Sequence, residues 1–317
     1  MVRSVLEYRS NYWIDWCPGC GNFGILASVY KAYSELDLDP TKTVLVSGIG
    51  CSGRIPKYVQ VNGVYTLHGR ALPFATGIRL ANPELTIIIH GGDGDLMGIG
   101  AGHLVALGRR NLNVLVLLHN NKVYGLTKGQ PSPTLPRSVK TKALLKPNIH
   151  DPINPIALAL TSGFPFVARG YCFESEHLKE LIKKGIQHKG AAFIDVLQTC
   201  VTYNDVHTAK YYEKRLYKLE DQNDWDPVVS SSSKEEADKK LTQAWLKSRE
   251  GNDRIPLSVF YQNAYVSTLE DRIAERIPSY TSKPPTKQRI ATLQGTPIID
   301  NEAFKKLFRK MIVDVEK

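Results

Sequence analysis

Uniformly apolar runs of strand length alternate with helical patterns over the first two thirds of the chain. The runs are 43–47 (Thr-Val-Leu-Val-Ser), 85–90 (Leu-Thr-Ile-Ile-Ile-His), 114–119 (Val-Leu-Val-Leu-Leu-His) and 191–197, with a weaker one at 166–169. Each ends near Gly, Asn or Cys. Strands without a polar face are buried on both sides, and in a βα alternation that means a parallel sheet. Helical patterns at 23–36, 71–80, 96–110 and 175–189 supply the crossovers. The last carries Glu176 in its first turn and Lys183 and Lys184 near its end, as the helix dipole favours. The expected class is α/β, a mostly parallel sheet with helices on both faces. After Cys200 the pattern loosens into a serine-rich linker at 227–233, a helix at 234–249, a short strand at 257–260 and a tail ending in a helix at 302–315. The expected organisation is an α/β domain over 1–226 and an extension over 227–317 that packs on it or on a partner subunit.

Length and composition narrow the class. A chain of 317 residues, 42% hydrophobic and 23% charged, holds one large core plus an appendage and is ordinary for a soluble protein. No leader-like apolar run follows Met1 and no stretch spans a bilayer, so a cytoplasmic protein is expected, with no membrane role. The net charge of +10 suits an anionic cofactor, an acidic protein or nucleic acid, or is simply a solvated lysine-rich surface. No arginine tract or nucleic-acid motif accompanies it, so no nucleic-acid partner is expected. The five cysteines, with a tight Cys17-Pro-Gly-Cys20 pair, point to metal ligation or redox chemistry rather than a disulfide framework.

Right-handed crossovers bring the carboxyl ends of parallel strands to one sheet edge, where such folds bind ligands. Here those ends carry Cys51 in Gly48-Ile-Gly-Cys-Ser-Gly53, Asp93 and Asp95 in Gly91-Gly-Asp-Gly-Asp95, Asn120-Asn121, and Cys200. Glycines flanking Asp93 let backbone N–H groups approach an anion, and the helix expected from Leu96 aims its positive end there. A carboxylate and an amide oxygen 28 positions apart suit magnesium, whose shell phosphate oxygens complete. A tight turn with Asp as helix cap would explain Gly-Asp-Gly alone, but not Asn-Asn at the next strand end.

Gly92-Asp93-Gly94 followed by Asn120-Asn121 resembles the diphosphate motif of thiamine-diphosphate enzymes. The resemblance implies Mg²⁺ held by Asp93, Asn121 and the carbonyl of Val123, with Gly94, Asp95, Gly125 and Leu126 lining the diphosphate. Asp15-Trp-Cys-Pro-Gly-Cys-Gly21, Gly50-Cys-Ser52, the segment 124–134 and Cys200-Val-Thr-Tyr-Asn204 look like the β subunit of 2-oxoacid:ferredoxin oxidoreductases, with the match running over about 11–206. In that family Cys17, Cys20, Cys51 and Cys200 would hold one [4Fe–4S] cluster, leaving Cys172 as a small core residue. Chemistry alone leaves iron–sulfur and zinc both open for four thiolates. Ile49, Gly50, Cys51 and Ser52 would touch the cofactor. So would His68, unless it is a plain loop histidine. Lys128 would pair with a substrate carboxylate, or is an exposed loop lysine. Trp13 and Trp16 would shield the cluster.

The resemblance implies oxidative decarboxylation of a 2-oxoacid, with coenzyme A taking the acyl group and ferredoxin the electrons. It also implies a partner α subunit, because only one thiamine-type α/β unit is present and no glutamate suited to activate the aminopyrimidine can be assigned. Three rivals remain at this point: a non-redox thiamine decarboxylase or synthase with zinc or no metal at the cysteines, a zinc-stapled basic nucleic-acid module, and a subunit that has lost its cofactor.

Overall fold

The computed structural model describes residues 3–251 and 253–309. Along the chain run α1 (Asn22–Glu35), β1 (Thr43–Ser47), β2 (Asn62–Tyr65), α2 (Ala71–Ala81), β3 (Thr86–Gly92), α3 (Ala101–Arg110) and β4 (Val114–Asn120). Next come the short pair β5 (Val123–Tyr124) and β6 (Gln130–Pro131), then α4 (Pro155–Thr161), β7 (Phe166–Tyr171), α5 (Ser175–Gln187) and β8 (Ala191–Leu197). The last third contains α6 (Ala209–Glu213), β9 (Leu216–Lys218), α7 (Lys234–Ser248), β10 (Ile255–Gln262), α8 (Leu269–Arg276) and α9 (Asn301–Phe308).

Every apolar run is a strand, and those strands form the middle of one sheet ordered β2-β1-β3-β4-β8-β7-β10-β9. All pairings from β2 to β7 are parallel. Alternate side chains feed two cores. Leu45, Ile88, Leu115 and Ile194 pack toward α1 and α5. Val46, Ile89, Val116 and Phe193 pack on the other face, with α2, α3, α4 and α7. This explains why the central strands carry no polar stripe.

Three features were not expected. The edge strand β2 is largely exposed and too polar to stand out as a strand. The strand expected at 257–260 is longer, runs antiparallel to β7 and brings β9 into the same sheet, so the boundary at 227 does not divide the sheet. The helix expected over 96–110 is broken: a π-helical turn at Gly94–Ile99 ends at Gly98, whose ψ of −106° is non-helical, and α3 starts only at Ala101. Position 98 has to be glycine, since the Tyr124 hydroxyl would stand 2.7 Å from any Cβ there. The tail helix is seen as α9; residues 310–315 of the expected helix lie outside the described residues.

α8 is tied to the amino end of the sheet by a buried ion pair. Arg79 Nε donates to Glu270 Oε1, which also accepts from the Asn113 N–H at 3.1 Å. Breaking one partner of such a pair strands the other charge. Glu270→Ala should cost about 3–5 kcal/mol, read as a lower urea midpoint; an unchanged midpoint would show that the pair does not fasten α8.

Candidate functional site

The ends of β1, β3 and β4 enclose a cleft. Its wall takes Ile49, Gly50, Cys51 and Ser52 from the loop after β1, His68 from the loop before α2, and Asp93, Gly94 and Asp95 after β3. Asn121, Val123, Gly125 and Leu126 close it from the segment after β4. Gly50 has φ +135°, a conformation L side chains rarely adopt, which explains glycine in that loop.

Asp93 is buried and its two oxygens do different work. Oδ2 accepts from the Lys122 N–H at 2.9 Å and from the hydroxyls of Ser132 and Thr134. Oδ1 accepts only the N–H of Gly94, at 3.1 Å. Burial pushes this carboxyl above its ordinary range, against the pull of the hydroxyls and of Lys122. A buried carboxylate with one oxygen saturated and the other lightly held is suited to a cation. Asn121 Oδ1 accepts from the Val123 N–H at 3.0 Å, and the Asn121 carbonyl is held by Asn204 Nδ2 at 2.9 Å. Among the described residues, no three His, Cys, Asp or Glu side chains gather into a metal site by themselves. A magnesium ion here would draw on the Asn121 amide, a backbone carbonyl and ligand oxygens.

A Cβ at Gly94 would meet the Tyr124 ring at 2.3 Å, so the ring packs directly on this backbone and only glycine fits beneath it. Asp95 has a different role from its neighbour. Its Oδ1 accepts from the N–H groups of Gly69 (2.7 Å) and Ile49 (3.3 Å), tying the two flanking loops, with His68 Nδ1 at 3.5 Å. Its Oδ2 is buried without a partner, and burial pushes the carboxyl up.

Behind Asp93 runs a polar chain that crosses three strands. Thr134 Oγ1 shares its one proton between Asp93 Oδ2 and Asn120 Oδ1, the latter at 2.9 Å; Asn120 Nδ2 donates to Asp195 Oδ1 at 2.9 Å, and Arg169 Nε donates to Asp195 Oδ2 at 2.9 Å. Sequence reasoning missed Ser132, Thr134, Asp195 and Arg169. The signal was present for Asp195: a carboxylate inside an otherwise apolar strand must be paired when buried.

A second cleft holds the cysteines. Cys17, Cys20, Cys51 and Cys200 all line it, and it shares Cys51, Asn121 and Gly125 with the first. A Cβ at Gly125 would lie 3.6 Å from Cys51 Sγ, 3.9 Å from Cys200 Sγ and 3.9 Å from Asn121 Nδ2. All the cysteines are free; burial pushes the thiols of Cys51 and Cys200 up, and that of Cys20 up to about 11. Cys172 is fully buried in the core beside α1. Trp16 is buried and its Nε1 donates to the Cys51 carbonyl at 2.7 Å. Trp13, expected to shield the same place, is 86% exposed. Lys128 is exposed at φ +79° and lines neither cleft, although its neighbour Thr127 lines the first.

Residues 48–196 match the family model of the thiamine pyrophosphate enzyme C-terminal TPP binding domain, and residues 200–276 match the C-terminal family model of the pyruvate ferredoxin oxidoreductase beta subunit. Fold and cleft thus define a thiamine-pyrophosphate-binding chain. The chain is 57% identical over 316 residues (99% of both chains) to the beta subunit of 2-oxoacid:ferredoxin oxidoreductase 1 of Aeropyrum pernix. It is 60% identical over 296 residues (93% of this chain, 96% of the other) to the beta subunit of the 2-oxoacid:ferredoxin oxidoreductase of Saccharolobus solfataricus. A solved 2-oxoglutarate:ferredoxin oxidoreductase from Magnetococcus marinus, with 2-oxoglutarate, coenzyme A and succinyl-CoA bound, superposes with a TM-score of 0.81 at 31% identity, covering 98% of this chain and 97% of that one. The chain belongs to the β subunits of the 2-oxoacid:ferredoxin oxidoreductases.

Gly94→Ala should force the Tyr124 ring aside and lower thiamine diphosphate affinity at least tenfold, measured by quenching of intrinsic fluorescence; wild-type affinity would mean that the packing of Tyr124 on Gly94 does not shape the cofactor site.

Proposed function

We propose that this chain carries both the carbon chemistry and the electron outlet of a coenzyme A-dependent 2-oxoacid oxidation, in a site completed by a partner subunit. The observation that carries this reading is the wall common to the two clefts, formed by Cys51, Asn121 and Gly125. Thiamine diphosphate and Mg²⁺ belong in the first cleft. Asp93, Asn121 and the Val123 carbonyl hold the ion, while Gly94, Gly125 and the 49–52 loop surround the cofactor. Cys17, Cys20, Cys51 and Cys200 hold one [4Fe–4S] cluster in the second. What the bound groups supply is an electron sink for decarboxylation and a one-electron outlet beside it.

The chain's own residues do the positioning. Three donors fix Asp93 Oδ2 and so aim Oδ1 at the ion. Asp95 keeps the His68 and Ile49 loops together at the mouth. Lys128, beyond Thr127 on the rim, is the cation we assign to the substrate carboxylate. Coenzyme A accepts the acyl group, as expected of the family and in line with the ligands of the Magnetococcus marinus enzyme.

The site is closed by a partner α subunit. Leu67, Ile99 and Leu126 stand exposed beside the cleft, and no glutamate is among the described residues that line it. The extension beyond 227 contributes β10 to the sheet, whereas its tail leaves Ile290, Leu293, Phe304 and Leu307 exposed, and we assign that tail to the partner. Five free cysteines suit the reducing cytoplasm. No helix among the described residues is long and apolar enough to cross a membrane.

Asp93→Ala should abolish thiamine retention and keep the visible absorbance of the cluster. Cys51→Ala should do the reverse; joint loss in both variants would mean one folding defect rather than two sites. The basic chain suits an acidic ferredoxin. Turnover with ferredoxin should therefore fall as salt rises while turnover with a neutral dye acceptor holds, and equal responses would remove the electrostatic role.

A further inference from the structure

We infer that Gln198 is a positioning residue that sets the reduction potential of the cluster through Cys20; the inference rests on the assignment of the four cysteines above. Gln198 directly follows β8 and is 1% exposed. Its backbone N–H is fixed to the Asn120 carbonyl at 3.0 Å. Its side chain crosses in front of Gly21, where any Cβ would meet Gln198 Cγ at 2.7 Å. Held in this way, the amide places Nε2 3.5 Å from Cys20 Sγ, while Oε1 is buried without a partner.

The orientation of the amide follows from chemistry. A thiolate that ligates iron only accepts, so the end of the amide facing it has to be the NH₂ group. An N–H donor at a buried sulfur withdraws charge from it. Reduction adds one electron to the cluster and no other ligand, so donors to sulfur favour the reduced form and raise the potential. Gln198, which lines the cysteine cleft, is thus a neutral side chain that makes the outlet a better acceptor by acting through Cys20.

The test is a dithionite titration of the co-expressed holoenzyme, monitored by electron paramagnetic resonance, for wild type, Gln198→Met and Gln198→Glu. Met keeps the length of the side chain and removes the donor; Glu keeps its shape and adds an acceptor. Both should make reduction about tenfold less favourable, a shift of about 59 mV to lower potential for one electron, with iron content and thiamine binding unchanged. A wild-type or higher potential in both variants overturns the inference. So does loss of the cluster from both with thiamine retained, because Gln198 would then be a structural support of the cysteine loop. Wild-type protein without iron and sulfide would instead overturn the cysteine assignment itself.

Discussion

A carboxylate placed at the end of a buried strand must be compensated locally, and the compensation of Asp93 organises everything around it. Its donors are drawn from the turn after β4 and from the Ser132–Thr134 segment beyond β6, so the whole excursion between β5 and β6 is folded back onto the end of β3. Thr134 then passes the constraint to Asn120, Asp195 and Arg169. Arg169 and Asp195 are register partners on neighbouring strands, so the network is anchored inside the main sheet. A site supported in this way keeps its geometry without the cofactor having to impose it.

The same segment builds the wall between the two clefts. Asn121 and Gly125 border both clefts, and Cys51 and Cys200 lie in van der Waals range of where a Cβ at Gly125 would be. Trp16 fixes the Cys51 carbonyl from the far side and packs edge-on against Tyr58 and Phe23. In the proposed reading, carbon chemistry and electron removal are adjacent because one short turn borders both clefts.

Much of this was legible in the sequence, for identifiable reasons. The strands 43–47, 114–119 and 191–197 are buried throughout and mostly apolar because the sheet is covered on both faces, and runs of that kind do not read as amphipathic helices. Asp93, Asn121 and Cys51 follow directly from strand ends. What could not be read depended on contacts between distant segments. The need for glycine at 98 comes from the Tyr124 hydroxyl, which is contributed by a segment after β4. β2 is an exposed edge, so burial left no pattern in its side chains. β10 is apolar enough to be seen, but its direction is a matter of topology. Trp13 and Trp16 have similar local sequence and opposite environments, a difference only tertiary packing decides.

The central claim is that one chain holds thiamine chemistry and an iron–sulfur outlet side by side. It is tested most directly by purifying the chain with its partner subunit under anaerobic conditions and measuring iron, sulfide, zinc and thiamine diphosphate per chain. The account predicts iron and sulfide in equal amounts together with bound thiamine diphosphate, and broad visible absorbance that dithionite bleaches. Zinc in place of iron, or a colourless protein that still retains thiamine diphosphate, would contradict it.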